Sequence, residues 1–233
     1  MGLGLGLNLS AGYVPSWEPS ELSTLIHWYR VGVGQESDAN GVTAWNDQKG
    51  SNNLTGAGGA ANQPLLSSGA IVFNGNDDHL DFASALELGT FSVYVRASHT
   101  NDAAGDFLLC QADAGGTDFL KLHSATAPRV KINNSRHDYV FDSSASIAAN
   151  TKYTLGFERA SNDAISAFAE QSGSNLTSSI SGLGDGTEAV SDLTNFVEVG
   201  RPAKDLTIFE IVVLNDALDA TNRALLLNYL SSI

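Results

Sequence analysis

A long series of short apolar segments with the alternation of β-strands constrains the fold of this chain more than any other feature. The segments lie at 25–31, 71–73, 91–97, 107–110, 119–122, 129–132, 153–158, 165–169, 196–199 and 206–214. Clusters of small and polar residues separate them, as at 112–117, 172–175 and 182–187. Many short strands with turn signals between them indicate an all-β protein that folds as an antiparallel β-sandwich.

The alternation stops near the end of the sequence. Asp219 is a good N-cap, and it precedes a stripe of apolar side chains at helical spacing, namely Leu225, Leu226, Tyr229 and Leu230. We therefore expect a short C-terminal helix. Pro19 predicts another short helix, because its fixed φ suits a first helical turn.

The first residues alternate leucine with glycine, so that one face of an extended segment carries only Leu3, Leu5, Leu7 and Leu9. Such a segment is not stable alone. We expect residues 1–15 to form an extended N-terminal arm that binds a partner through these leucines; a terminus without order is the alternative. Residues 16–233 have the length of a single sandwich domain.

The charge balance excludes two classes of partner. Twelve basic against 26 acidic side chains give a formal net charge of −14. Binding to nucleic acid or to an anionic membrane needs a surplus of Lys and Arg, so we expect neither partner. The start of the chain lacks the basic residues and long apolar run of an export signal, which predicts assembly in a cytoplasm. The single cysteine, Cys110, is expected to be a buried, inert thiol.

Motifs from both ends of the chain occur together in one known family. They are Trp28, W-N-D-Q-K-G at 45–50, N-N-L at 52–54, Q-P at 63–64, V-F-N-G-N-D-D-H-L at 72–80, E-I-V-V-L at 210–214 and Y-L at 229–230. Over about 200 residues this pattern resembles the laminin G-like, concanavalin A-like jelly rolls of tailed-phage virion proteins. The resemblance implies a concanavalin A-like jelly roll.

The resemblance also implies a function. It predicts a non-enzymatic structural protein of the virion, in particular a capsid decoration or cement protein held by its arm. The expected partners are the major capsid protein or other virion proteins, and the expected assembly is a homo-oligomer, often a trimer in such proteins. The expected location is the virion, assembled in the host cytoplasm.

A lectin-like, carbohydrate-binding module or a receptor-binding tail protein is the alternative function. It predicts exposed aromatic and Asp or Asn side chains in the loops after Asp102, Asp113 and Asp138. Trp17, Trp28 and Trp45 could stack on sugars, but the family pattern has core aromatics there, so we expect them in the core.

Asp77 and Asp78 are the weak metal candidates. They follow Asn74 and Gly75 in a tight turn, where Asx side chains hydrogen-bond the local backbone, so we expect turn formers first and no cofactor. Calcium is the alternative ligand, because clustered carboxylates bind it. The histidines show no metal-ligand spacing: His27, His79, His99, His123 and His137.

Catalytic carboxylates are not evident in the sequence. Glucanases of this fold place two carboxylates on one strand in an E-x-D-x-x-E arrangement, since one acts as nucleophile and the other as acid. Here Glu158, Glu198 and Glu210 are single glutamates on separate predicted strands. We therefore expect no catalytic residues and no enzyme.

Overall fold

Two antiparallel sheets face each other in the computed structural model, which describes residues 17–56, 62–74, 77–100, 106–111, 118–141, 146–176, 178–180, 187–200 and 205–233. The strands are β1 (Leu25–Tyr29), β2 (Gln35–Ser37), β3 (Val42–Trp45), β4 (Leu54–Gly56), β5 (Leu65–Ser67), β6 (Ala70–Phe73), β7 (Leu80–Leu86), β8 (Phe91–His99), β9 (Asp106–Cys110), β10 (Phe119–Ser124), β11 (Ala127–Ile132), β12 (Ser135–Phe141), β13 (Tyr153–Arg159), β14 (Ile165–Gln171), β15 (Ser174–Leu176), β16 (Ser178–Ile180), β17 (Phe196–Val199) and β18 (Leu206–Leu214). The helices are a 3-10 turn at Pro19–Glu21 and α1 at Ala220–Ser231.

The all-β prediction is confirmed, as an antiparallel β-sandwich with one short C-terminal helix. One sheet has eight strands in the order β15-β14-β13-β8-β18-β6-β5, and β1 also pairs with β18. The other has ten strands in the order β16-β12-β11-β10-β9-β17-β7-β4-β3-β2. The leucines of the arm, Leu3, Leu5, Leu7 and Leu9, lie outside the described residues, so the arm stays a prediction.

The core lies between the two sheets. Tyr29 is fully buried in it, and its ring centroid lies 5.9 Å from those of Trp45 and Phe82 in edge-to-face geometry. Along β13 the side chains of Tyr153, Leu155 and Phe157 enter this core at alternate positions, as the period of a strand requires.

Helix α1 covers the outer face of the eight-stranded sheet. The carboxylate of Asp219 accepts the backbone N–H of Asn222, which confirms the predicted N-cap. Leu226 and Leu230 are buried against the sheet, whereas Leu225 is 36% exposed and does not belong to the buried stripe. Among the described residues, no helix combines the length and the apolarity that a membrane crossing requires.

The W-N-D-Q-K-G segment forms a turn organised by one carboxylate. Asp47 accepts the backbone N–H groups of Trp28 and Lys49 at 3.0 Å, and its Oδ2 lies 2.6 Å from Nδ1 of His27. Gly50 must be glycine, since a Cβ there would lie 2.7 Å from Oδ2 of Asp47. Burial raises the pKa of Asp47, but the hydrogen bonds to His27 and to backbone amides outweigh it and lower the pKa to about 2.

We expect Asp47→Asn to lower the free energy of unfolding by about 2 kcal/mol at pH 7. A carboxylate with a depressed pKa stabilises the fold above its unfolded pKa, near 4, and loses this effect as the pH falls toward 2. Urea unfolding between pH 7 and pH 2 should therefore show less acid destabilisation in the variant. Exposed Glu87 offers the control, Glu87→Gln. A variant with unchanged acid sensitivity would contradict this role of Asp47.

Candidate functional site

The outward face of the ten-stranded sheet carries a row of chemically active side chains, one from each of seven neighbouring strands. Each member is paired in register with the next, and the residues beside them, such as Leu80, Leu109 and Val130, enter the core. Period-two alternation therefore turns the row away from the core. We call it the outer row: Thr55, Asp81, Glu198, Cys110, Phe119, Lys131 and Arg136.

One half of the outer row is acidic. Asp81 and Glu198 are register partners on β7 and β17, and one ligand atom from each lies within 4.8 Å of the other and of a nitrogen of His79. Glu198 and His79 are buried, and Asp81 is partly exposed. The buried thiol of Cys110 lies 3.9 Å from Oε2 of Glu198, so its burial is confirmed and it contacts this group.

The other half of the outer row lies among basic side chains of β10, β11 and β12. Arg129 binds Asp138 through both nitrogens of one edge, with Nη2 2.8 Å from Oδ2, and Nε of Arg136 lies 3.7 Å from the same carboxylate. The Nζ atoms of Lys121 and Lys131 lie 4.9 and 5.9 Å from the ring centroid of Phe119. We call four of these residues the basic region: Lys121, Arg129, Lys131 and Arg136.

The basic region concentrates positive charge, part of which Asp138 neutralises by pairing with Arg129 and Arg136. It holds four of the twelve basic side chains of a protein whose formal net charge is −14. The pKa of Lys121 is lowered by burial and, next, by the charge of Arg129, and the pKa of His123 is lowered by burial and by the same arginine. Positive charges that disfavour one another in this way favour an anion between them.

The tryptophans lie mostly where the sequence predicts. Trp45 and Trp28 are buried, which confirms their core role, and Nε1 of Trp28 donates to Glu210 at 2.6 Å. Trp17 is half-buried beside Tyr229, with ring centroids 6.2 Å apart. It lines a cleft of about 320 Å³ together with Glu18, Arg30, Leu225, Asn228, Tyr229 and Ser232.

Two of the three glutamates considered from the sequence hold the fold together. Both carboxylate oxygens of Glu158 accept from Arg223 of α1, at 3.0 and 2.6 Å, and Glu210 receives the indole of Trp28. Burial raises the pKa of Glu210 above its usual value. Only Glu198 belongs to the outer row.

The predicted aspartate turn is next to the acidic half. Oδ2 of Asp78 accepts the backbone N–H of Asn74 at 3.0 Å, as a turn-forming side chain does. The backbone oxygen of Asp77 lies 2.7 Å from Nδ1 of His79. Asp102 and Asp113 lie outside the described residues, and Asp138 lies within β12 rather than before a loop.

Comparison with known proteins shows a shared fold. No protein-family model and no curated protein matches this chain. Trypanosoma rangeli sialidase in complex with sialic acid matches with a TM-score of 0.55 and 12% identity, over 91% of this chain and 33% of that one. The binding domain of botulinum neurotoxin DC, in complex with rat synaptotagmin II, matches with a TM-score of 0.53 and 14% identity, over 89% and 52%.

A structure of botulinum neurotoxin type C, which depends on two ganglioside molecules to enter cells, matches with a TM-score of 0.54 and 12% identity, over 89% and 51%. At such identities the likeness shows the fold alone, a jelly-roll-like β-sandwich. This chain spans about a third of the sialidase chain and about half of the neurotoxin chains.

The comparisons contradict the prediction that the chain is not an enzyme. Structures that match this chain include sialidases, which are enzymes. The prediction also assumed that no two carboxylates share a site, yet Asp81 and Glu198 do. Asp81 and Glu198 lie on different strands, so they do not form the pattern of two carboxylates along one strand.

Proposed function

We propose that this β-sandwich is a carbohydrate-binding module and that it binds an acidic saccharide at the basic region. The observation that carries the proposal is the concentration of cations there, in a strongly acidic protein. Anions are repelled by the rest of such a surface and attracted to this one face.

The geometry of the basic region suits a carboxylate on a sugar. Asp138 orients Arg129 from one side, and the side chain of Arg136 is 43% exposed. Arg136 therefore keeps donors for a ligand, and a guanidinium binds a carboxylate through two parallel hydrogen bonds. The ring of Phe119 is itself buried and lies close to the ammonium groups of both lysines, which it helps to hold on this face.

The comparisons support a saccharide ligand without identifying it. One matching protein was solved with sialic acid and another interacts with gangliosides. A receptor-binding role would follow if the saccharide belongs to a cell surface. The comparisons lend no support to the capsid decoration role, so its capsid-protein partner, its trimer and its virion location stay predictions from the sequence.

Titration calorimetry with sialyllactose and with lactose tests the proposal. We expect sialyllactose to bind at least about ten times more tightly than lactose, since only its carboxylate can pair with the basic region. Raising the ionic strength from about 0.05 to 0.5 M should weaken that binding, because salt screens partly exposed charges. Chromatography of the same mixtures detects any cleavage of the sugar.

Two variants locate the site. Lys131→Ala and Arg136→Ala should each weaken sialyllactose binding about tenfold or more, and neither residue is in the core. Lys49→Ala removes one exposed cation from a turn elsewhere and is the matched control. Equal affinity for the two sugars, or a Lys131→Ala variant as tight as the unchanged protein, would sink the proposal.

A further inference from the structure

The acidic half of the outer row has the geometry of a metal site. Asp81 and Glu198 face each other across the β7–β17 pair, and His79 enters from the residue before β7. One ligand atom from each of the three side chains lies within 4.8 Å of the other two. Carboxylates this close repel each other in a partly buried position, and a cation bound between them relieves that repulsion.

His79 is oriented as metal-binding histidines are. Its Nδ1 is 2.7 Å from the backbone oxygen of Asp77, and a carbonyl oxygen can only accept, so Nδ1 carries the hydrogen. In the neutral ring the lone pair is then on Nε2, which faces the carboxylates. A backbone carbonyl that holds the distal N–H is the usual outer partner of a histidine ligand. The side chain of His79 is only 7% exposed, so the ring is held in this direction.

The distance between Nε2 of His79 and Oδ1 of Asp81 leaves room for an ion between the two atoms. It is 3.6 Å, longer than the roughly 2.7–3.2 Å of an N–H···O hydrogen bond. Two ligand atoms bound tetrahedrally at about 2.0–2.2 Å from one ion lie about 3.4 Å apart. The observed separation therefore suits a shared ion better than a shared proton.

We propose that His79, Asp81 and Glu198 bind one divalent transition-metal ion, of the kind represented by Zn²⁺ or Mn²⁺. An imidazole nitrogen with two carboxylates is a donor set for these ions. Calcium takes six to eight oxygen ligands and is disfavoured by the nitrogen. Three protein ligands leave at least one coordination position for a water or a ligand oxygen. Asp78 of the aspartate turn is not one of the proposed ligands, since its Oδ2 accepts the backbone N–H of Asn74.

Titration of the chelator-treated protein with ZnCl₂, MnCl₂ and CaCl₂ tests the proposal by calorimetry and by thermal melting. We expect one equivalent of Zn²⁺ or Mn²⁺ to bind and to raise the melting temperature, because an ion that binds only the folded state stabilises it. Ca²⁺ should bind at least about tenfold more weakly. Tighter Ca²⁺ than Zn²⁺ and Mn²⁺ binding, or no stoichiometric binding of either, would overturn the assignment.

The variants separate this site from weak binding elsewhere on an acidic surface. Asp81→Asn and His79→Gln should each weaken metal binding at least about tenfold and abolish the rise in melting temperature. Asp81 is the decisive position, since its side chain is 44% exposed and the variant should fold. Glu36→Gln and His123→Gln remove an exposed carboxylate and another histidine, and should leave metal binding unchanged. If Asp81→Asn binds the ion as tightly as the unchanged protein, the proposal is wrong.

The metal site does not depend on the proposed saccharide function. Metal binding is read without any sugar, and the variants of the basic region, Lys131→Ala and Arg136→Ala, should keep it. Loss of sialyllactose binding with intact metal binding, or the reverse, therefore shows which of the two proposals fails.

Discussion

Replacing Arg159 by methionine should lower the free energy of unfolding by about 3–5 kcal/mol. Arg159 lies at the end of β13 with no exposed surface, although it is a charged side chain. Its guanidinium donates to four backbone carbonyls, those of Leu88 at 2.5 Å, Gly89 at 2.6 Å, Asp192 at 2.9 Å and Ala189 at 3.2 Å. Burial lowers the pKa of Arg159, and the nearby charge of Glu188 opposes that shift.

These four hydrogen bonds join the connection between β7 and β8 to the segment before β17, which Leu88 and Thr194 also link through hydrogen bonds. Methionine has a similar length but no donor, so all four carbonyls would lose the guanidinium, and the carbonyl of Leu88 would keep only the N–H of Thr194. Thermal melting should show a decrease of roughly 6–20 °C. Arg159→Lys keeps the charge but cannot reach all four carbonyls. Its melting temperature should lie between those of the unchanged protein and of Arg159→Met. Arg136→Met at an exposed position is the control, and a shift in Arg159→Met within about 2 °C of the unchanged protein would contradict this account.

Replacing Gly156 by alanine should cost about 2–3 kcal/mol, although only one methyl group is added. Gly156 on β13 is the register partner of Tyr94 on β8. A Cβ at Gly156 would lie 2.7 Å from Cζ of the Tyr94 ring and closer still to two other ring carbons. The ring cannot easily move, because its hydroxyl donates to Glu158 at 2.6 Å and α1 covers it. The aromatic ring thus fills the space that the glycine leaves.

A double-mutant cycle measures this clash directly. We expect Gly156→Ala to lower the melting temperature by roughly 4–12 °C in the unchanged background. In the Tyr94→Leu background the same change should cost at least about 1 kcal/mol less, since most of the ring is absent. Equal costs in both backgrounds would show that strain at Gly156 does not come from Tyr94.

Strands whose apolar residues alternate or run together could be predicted from the sequence, and strands without such a pattern could not. β13 and β18 alternate or run apolar, so their positions follow from the residues. β5 is exposed at all three positions, Leu65, Leu66 and Ser67, and has no pattern to detect. β12 does not stand out in the sequence, because two of its buried positions hold the polar residues His137 and Asp138.

The candidate site depends on register, which the sequence does not reveal. Glu198 is on a predicted strand, and Asp81 follows the motif at 72–80, yet nothing in either segment says that they pair. Register is set by burial and by distant connections between strands. For the same reason the basic residues of β10, β11 and β12 form one region only after these strands pair.

The position of β18 has a consequence for how the chain folds. One edge of β18 pairs with β8, and the other is shared by β6 at Leu206–Ile208 and by β1 at Ile211–Leu214. Three strands from the first half of the sequence, β1, β6 and β8, therefore complete their pairing only when β18, near its end, is in place. Closing such long loops costs entropy before the contacts form, so folding should be slow, in the millisecond-to-second range typical of β-sandwiches. Until residue 214 leaves the ribosome, the edge of β8 that pairs with β18 stays unpaired, and we expect this edge to favour aggregation of the nascent chain.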